Sequence, residues 1–292
     1  MDRYFKYQSA DAARPTLING TLRWSRPSRF NDLFDMAVPF STDFDTDYIV
    51  RRSLELMWER VAGPERRPPL NRMGEVLDAN RAAFLTKGKE TFLRDMRAGV
   101  EASVAKLPSL LDEFSEEVIH HLSSIKVLCL CKVKDDNGMW GLYGNNEGLV
   151  LELATIPELD SVYRLAKPIQ YADRAPPMLT DDELAQLFAG DRKLHYSLAN
   201  PLMYFKTTRW RDEQEWRLVS GDGRFPNQEV EDIPFHPREL VGVYFGARAA
   251  GLRAELEPVI RQKYPHAKLW QAVKGKAMNI DFLPIEEATK GS

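Results

Sequence analysis

The chain has 292 residues, 43% hydrophobic and 28% charged, with 40 Lys and Arg against 43 Asp and Glu and a formal net charge of -3. That composition excludes intrinsic disorder and can supply a sizeable core, and its slightly negative balance gives no global attraction to nucleic acid, leaving only a local basic patch open. No apolar run approaches the roughly 18 to 20 residues that span a bilayer, and residues 1–25 lack the apolar centre of a secretory signal, so a cytoplasmic protein with no membrane partner is expected.

Residues 3–9 alternate aromatic and polar side chains and predict a strand. A short helix follows, stopped at Asn19 and Gly20, and 21–25 predict a second strand. The stretch 26–35 is polar and turn-rich and predicts an ordered loop anchored by Phe30 and Phe34. In it Asn31, Asp32 and Asp35 either supply hydrogen bonds or metal ligands, or merely turn the backbone.

From about 47 to 122 the periodicity is helical. Val50, Leu54, Met57 and Val61 share one stripe, and Leu110, Leu111, Phe114, Val118 and Leu122 another. Pro64, Pro68 and Pro69 separate the first helix from the next. His120 and His121 lack a Cys or carboxylate at ligand spacing, so no structural metal is expected.

Strand character returns over 125–133, where Cys129 and Cys131 fall on one face as reduced core residues. After a turn at 135–138, residues 139–143 predict a strand carrying Trp140 and Tyr143, and 148–153 predict the next. Further strands are expected at 167–171, 240–245, 269–273 and 278–282, and helices at 180–189 and 194–205. No repeat, phosphate loop or dinucleotide fingerprint is present. The whole reads as a single α+β domain over 1–292, with a mixed, mainly antiparallel sheet and a helical insertion at about 47–122.

The densest chemistry lies in 206–219. As a strand this stretch puts Arg211, Glu213, Glu215 and Arg217 on one face, with Gln214, Trp216 and Leu218 on the other. Such a ladder either neutralises itself in water, the more common outcome, or walls a cleft in which Arg217 orients Glu215.

The blocks Tyr4 to Tyr7, Leu22 to Ser25, Phe30 to Asp35, Leu128 to Cys131, Met139 with Trp140 and Tyr143, Gly148, Lys206, Trp210, Glu213 to Arg217 and Val243 to Gly246 together resemble the bacterial family called domain of unknown function 2971. The resemblance covers nearly the whole chain outside the helical insertion. Two positions depart from it: Gln8 stands where the family usually has Arg, and Leu33 where it usually has Pro.

A polar residue on the first strand, a Ser on the second and a late Glu-x-Glu are also similar to the ADP-ribosyltransferase pattern. That resemblance implies NAD as a substrate, held by Lys6 or Gln8 and by Ser25, with Asn31 and Arg217 assisting. Glu215 would then bond the ribose hydroxyl and Glu213 would serve the acceptor, protein or nucleic acid, in a setting of bacterial conflict or defence. The physical logic is that breaking the nicotinamide bond builds positive charge on the sugar, which a fixed carboxylate stabilises more in the transition state than in the ground state. Two other readings stay open. A metal-dependent nuclease would use Asp32, Asp35, Glu213 and Glu215 with Lys206 on a phosphate, and a non-catalytic nucleotide or nucleic-acid binding module would use Arg209, Trp210, Arg211 and Trp216.

Overall fold

The structure is a computed structural model that describes residues 2–64, 67–193, 199–221 and 223–286. The chain divides into two units, one made of Met1–Asp35, Ser123–Asp173 and Lys206–Ser292, the other of Met36–Leu122 and Arg174–Phe205. The helical insertion read from sequence lies within the second, which takes in 174–205 as well.

The first unit is built on one mixed sheet. Its strands are β1 (Arg3–Gln8), β2 (Thr21–Ser25), β3 (Val127–Cys131), β4 (Leu149–Ala154), β5 (Lys167–Pro168), β6 (Glu215–Val219), β7 (Val230–Pro234), β8 (Leu240–Phe245), β9 (Lys268–Lys274) and β10 (Ile280–Pro284). They run in the order β10-β9-β8-β4-β1-β3-β2-β7, with β6 also on β3 and β5 on β6. Among the described pairings β8 with β9 is parallel and the others are antiparallel. The helix Ala250–Lys263 makes the crossover that a parallel pair requires. This is the α+β class with a mainly antiparallel sheet.

The two faces of the sheet follow from period-2 alternation. Leu149, Leu151 and Leu153 of β4 join Leu17 of the helix Ala10–Asn19 and Leu252, Leu256 and Ile260 of the crossover helix in one core cluster. Val150 turns the other way, joining Tyr7, Tyr244 and Trp140 in a second. Every residue of β4 is therefore buried, and each such apolar side chain contributes about 1.5–3 kcal/mol on burial. The first helix starts where Ser9 Oγ accepts from the Ala12 N–H, and stops at Gly20, whose left-handed φ of 70° an L side chain rarely adopts. At Gly148 a Cβ would lie 2.0 Å from the Gln8 carbonyl oxygen, so only glycine lets β4 enter the sheet beside the end of β1.

The second unit is helical, with Thr46–Ala62, Arg72–Ala79, Arg81–Lys87, Lys89–Val104, most of Leu107–Ser124, and Asp181–Phe188. Ile49, Leu54, Met57, Phe92, Val100 and Leu184 share its core. Arg60 is buried among them and donates to Asp78 and Asp191. The expected stripe at 110–122 holds except for Leu110, which is exposed while Leu111, Val118 and Leu122 are buried.

Several local expectations are corrected. Residues 139–143 are helical, because Asp136 accepts from the Met139 N–H and caps Asn137–Gly144. The supposed turn at 135–138 is the helix start. The helix expected over 194–205 falls partly on 194–198, which lie outside the described residues, and Asn200–Met203 is a short helix. Phe34 is 65% exposed and anchors nothing, whereas Phe30 is half-buried. No helix among the described residues is long and apolar enough to cross a membrane.

Candidate functional site

One edge of β3 is paired along its length with β6, from Val127 opposite Val219 to Cys131 opposite Glu215. The other edge is met by β2 only at Ser25, opposite Val127, and by β1 only at Phe5, opposite Cys131. Between those points β1 and β2 part. Lys6 Nζ donates to the Cys129 carbonyl at 2.9 Å in this gap, satisfying a main-chain oxygen that a neighbouring strand would otherwise take up.

A cavity of about 430 Å³ opens at the gap. Consecutive residues of β1 and of β3 line it, which places it where the two strands part. Its volume lies in the range of small-molecule sites.

The wall beyond β3 is a buried ion-pair network. Arg217 Nε donates to Glu215 Oε1 at 2.7 Å, and its Nη2 donates to Asp35 Oδ2 at 2.5 Å and to Glu215 Oε2 at 3.3 Å. Lys206 Nζ bridges Glu215 Oε2 at 3.1 Å and Glu213 Oε2 at 2.6 Å. Tyr143 donates to Glu213 Oε1 at 2.6 Å, and the Glu215 N–H donates to the Tyr171 hydroxyl at 2.8 Å. Arg217 also lies over the Phe30 ring, 5.5 Å from its centroid, and Lys206 over Trp210 at 4.6 Å. Arg217 is fully buried, and Asp35, Lys206, Glu213 and Glu215 are each 6% exposed or less.

Burial alone would raise the Glu215 carboxyl, but the Arg217 and Lys206 charges outweigh it and hold that carboxyl near about 2. Glu215 is therefore a permanent anion at neutral pH, suited to stabilising positive charge and unsuited to moving protons. Asp35 goes the opposite way, because its desolvation outweighs the Arg217 guanidinium and its carboxyl is raised. Burial keeps both thiols inert, raising Cys129 and pushing Cys131 up to about 12; both cysteines are free. The Tyr171 phenol rises to about 12, first through burial and then through the neighbouring Glu215 and Glu213 charges.

The sequence-derived residues Lys6, Gln8, Ser25, Asn31, Glu213 and Glu215 all line this one cavity, and Arg217 lies behind its wall. The four-residue ladder is corrected. Thr208–Glu213 is a 3-10 helix, Gln214 takes a left-handed φ of 45°, and the strand begins only at Glu215. Glu213 still reaches Glu215, through Lys206 rather than along a strand, while Arg211 is exposed. The neutralisation of these charges in water is overturned too, because the pairs are buried.

Asp32 behaves as a turn residue, its Oδ1 accepting from the Phe34 N–H at 3.0 Å. Among the described residues no group of three or more His, Cys, Asp or Glu side chains is arranged to hold a metal. All four oxygens of Glu213 and Glu215 instead face the Lys206 ammonium, the Arg217 guanidinium or the Tyr143 hydroxyl. Sequence reasoning missed Tyr171, which carries no motif, and weighed Tyr143 mainly as core. Asp35 was readable only as a generic loop acid, because its partner lies 182 residues away. Compared with known proteins, the chain matches no family model, no curated protein and no solved structure.

Proposed function

We propose that the cavity binds a nicotinamide nucleotide and that the protein is an ADP-ribosyltransferase-like, NAD-cleaving member of the bacterial family called domain of unknown function 2971. The observation that carries this reading is Glu215, a buried carboxylate held ionised on the wall of a cavity that Lys6, Gln8, Ser25 and Asn31 also line. Breaking the bond between the nicotinamide nitrogen and the ribose leaves the sugar carbon electron-poor, and the fixed Glu215 charge acts most strongly when that positive charge is greatest. Arg217 sets the orientation of Glu215 through Nε and Nη2. Glu213, held between Lys206 and Tyr143, orients the nucleophile that closes the reaction.

Wild-type protein with labelled NAD is expected to release nicotinamide without added metal. Glu215→Gln keeps the side-chain shape and removes the charge, so it should lower kcat on the order of 10² while KM changes little. A thermal scan of the variant, which also loses two buried ion pairs, separates this from unfolding. If the wild type neither binds NAD nor releases nicotinamide, and degrades RNA or DNA only with Mg²⁺ or Mn²⁺, the nuclease reading on Asp32, Asp35, Glu213 and Glu215 replaces this one. A second reading is favoured by the two cations already bonded to Glu215, which blunt its field: a module that binds NAD and turns none over.

A further inference from the structure

The cations in and behind the cavity wall have carboxylate partners, with one exception among the described residues. Lys206 and Arg217 are bonded to carboxylates, and elsewhere in the chain the buried Arg60 and Lys126 are paired with Asp78 and Glu231. Lys6 is different. It is half-buried on the lining, its Nζ donates to the neutral Cys129 carbonyl at 2.9 Å, and among the described residues it makes no ion pair. An ammonium has three hydrogens to donate, so two remain once the carbonyl is served. A charge partly withdrawn from water is costly without a counter-charge, so a cavity that keeps this one calls for an anion beside it.

Other lining residues favour the same ligand. The Arg29 side chain is 61% exposed, and its ion-pair partner Glu229 stands 4.0 Å away and 58% exposed, a pair worth little in water. Arg23 is held by Asp232 in a two-pronged pair at 2.9 and 3.0 Å and adds nothing. Ser25 and Asn31 bring a hydroxyl and an amide, groups able to donate to an oxyanion. The helix Ala10–Asn19 begins on the lining at Ser9 and Ala12, and the partial positive charge of its N-terminus adds to the Lys6 field. We infer that Lys6 is the anion receptor of the cavity: its ammonium takes a phosphate oxygen of the ligand, with Arg29 as a second cation, so that the cavity grips the diphosphate of a dinucleotide. The inference deepens the proposed function by naming the part of NAD that is held, and it rests on that reading only for the choice of a dinucleotide as the source of the phosphate. A lysine is a compact point charge and accepts a phosphate oxygen without the planar match that a guanidinium fork demands. Holding the ligand by a part that does not react leaves Glu215 to act on the bond that does.

Calorimetric titration of the full chain tests this with four probes: ADP-ribose, which carries the diphosphate, nicotinamide riboside, which carries no phosphate, inorganic pyrophosphate, and a short single-stranded oligonucleotide. ADP-ribose is expected to bind about tenfold or more tightly than nicotinamide riboside, to lose affinity as salt is raised, to be displaced by pyrophosphate, and to bind more tightly than the oligonucleotide. Lys6→Gln removes the charge and keeps an N–H donor for the Cys129 carbonyl, and it should weaken ADP-ribose and pyrophosphate alike by about tenfold. Lys6→Arg returns the charge and should restore most of both affinities, a pattern that a merely structural role for Lys6 would not give. Should Lys6→Gln fail to fold, pyrophosphate competition and the salt dependence of the wild type still decide. ADP-ribose that does not bind, pyrophosphate that does not displace it, a riboside that binds as tightly, or Lys6→Gln without effect each overturns the inference, and an oligonucleotide that binds more tightly hands the phosphate site to nucleic acid and overturns the dinucleotide. ADP-ribose held through Lys6 by a protein that releases no nicotinamide supports the inference while removing the catalytic reading; nicotinamide release with a KM for NAD unchanged in Lys6→Gln does the reverse.

Discussion

Replacing Arg217 by Met tests the network most directly, because the guanidinium is fully buried and donates to two carboxylates at once. Methionine fills much of the same volume without any donor. Glu215 and Asp35 would then share a desolvated space with Lys206 as the cation bonded to Glu215. Removing one partner of a buried ion pair costs about 3–5 kcal/mol, chiefly because the other charge is left uncompensated. Set against a total stability of about 5–15 kcal/mol, that is about a fifth or more of what holds the fold. At about 2–4 °C per kcal/mol for a chain of this size class, the melting temperature should fall by roughly 6–20 °C. Circular dichroism melts and urea titrations at pH 7 measure it. The double variant Glu215→Gln with Arg217→Met removes one of the stranded charges and should be less damaged than the sum of the two single variants, by about 1 kcal/mol or more. A loss below about 1 kcal/mol in Arg217→Met, or strict additivity in the cycle, would mean that these charges are solvated after all and would refute the argument.

Acid should destabilise the protein through Glu215. Its folded value is depressed to about 2 from 4.5, so its contribution, on the order of 3 kcal/mol, is present above pH 4.5 and is lost as pH falls through about 2. The raised Asp35 works in the opposite sense, its contribution being complete below pH 3.8 and lost as pH rises through its folded value, so it offsets part of the acid loss. Urea midpoints between pH 5 and 2 should therefore fall more steeply in Asp35→Asn than in wild type, and a shallower fall would contradict the assignment. Gly148→Ala drives a methyl into the Gln8 carbonyl and should cost about 1–3 kcal/mol in a thermal melt. An unchanged melt would show that the strand ends are not in contact.

Much of this architecture was legible because its residues report on near neighbours. The alternation in β1, β2 and β4 and the helical stripe through Val50, Leu54, Met57 and Val61 need only a period and a few residues of context. The failures share a cause. Residues 139–143 contain apolar and aromatic side chains that suit a strand, and a single capping oxygen on Asp136 decides for helix. Alternating charges at 211–217 fit a strand or a turn equally well, and the backbone at Gln214 breaks the pattern before β6 begins. The site residues were found as candidates, but their relations were not: Asp35 with Arg217, Tyr143 with Glu213 and Lys6 with the Cys129 carbonyl are separated by 182, 70 and 123 positions.

Those long-range relations also explain why the charges are buried here. A network of two cations and three carboxylates is a poor way to fill a core, since well-packed apolar residues of the same volume are often as stable or more so. Its position along the one stretch where β3 has lost a neighbouring strand gives it a different role. Apolar side chains at Lys6, Glu215 and Arg217 would leave the Cys129 carbonyl unpaired and let the parted strands close on one another, whereas the ion pairs fix each wall of the gap to its own partners. The cavity then persists without a ligand, with Asp35 held on Arg217 and Gln8 held on Thr16. Local departure from the apolar pattern at a site kept open in this way is what a binding function demands of a fold that elsewhere obeys that pattern.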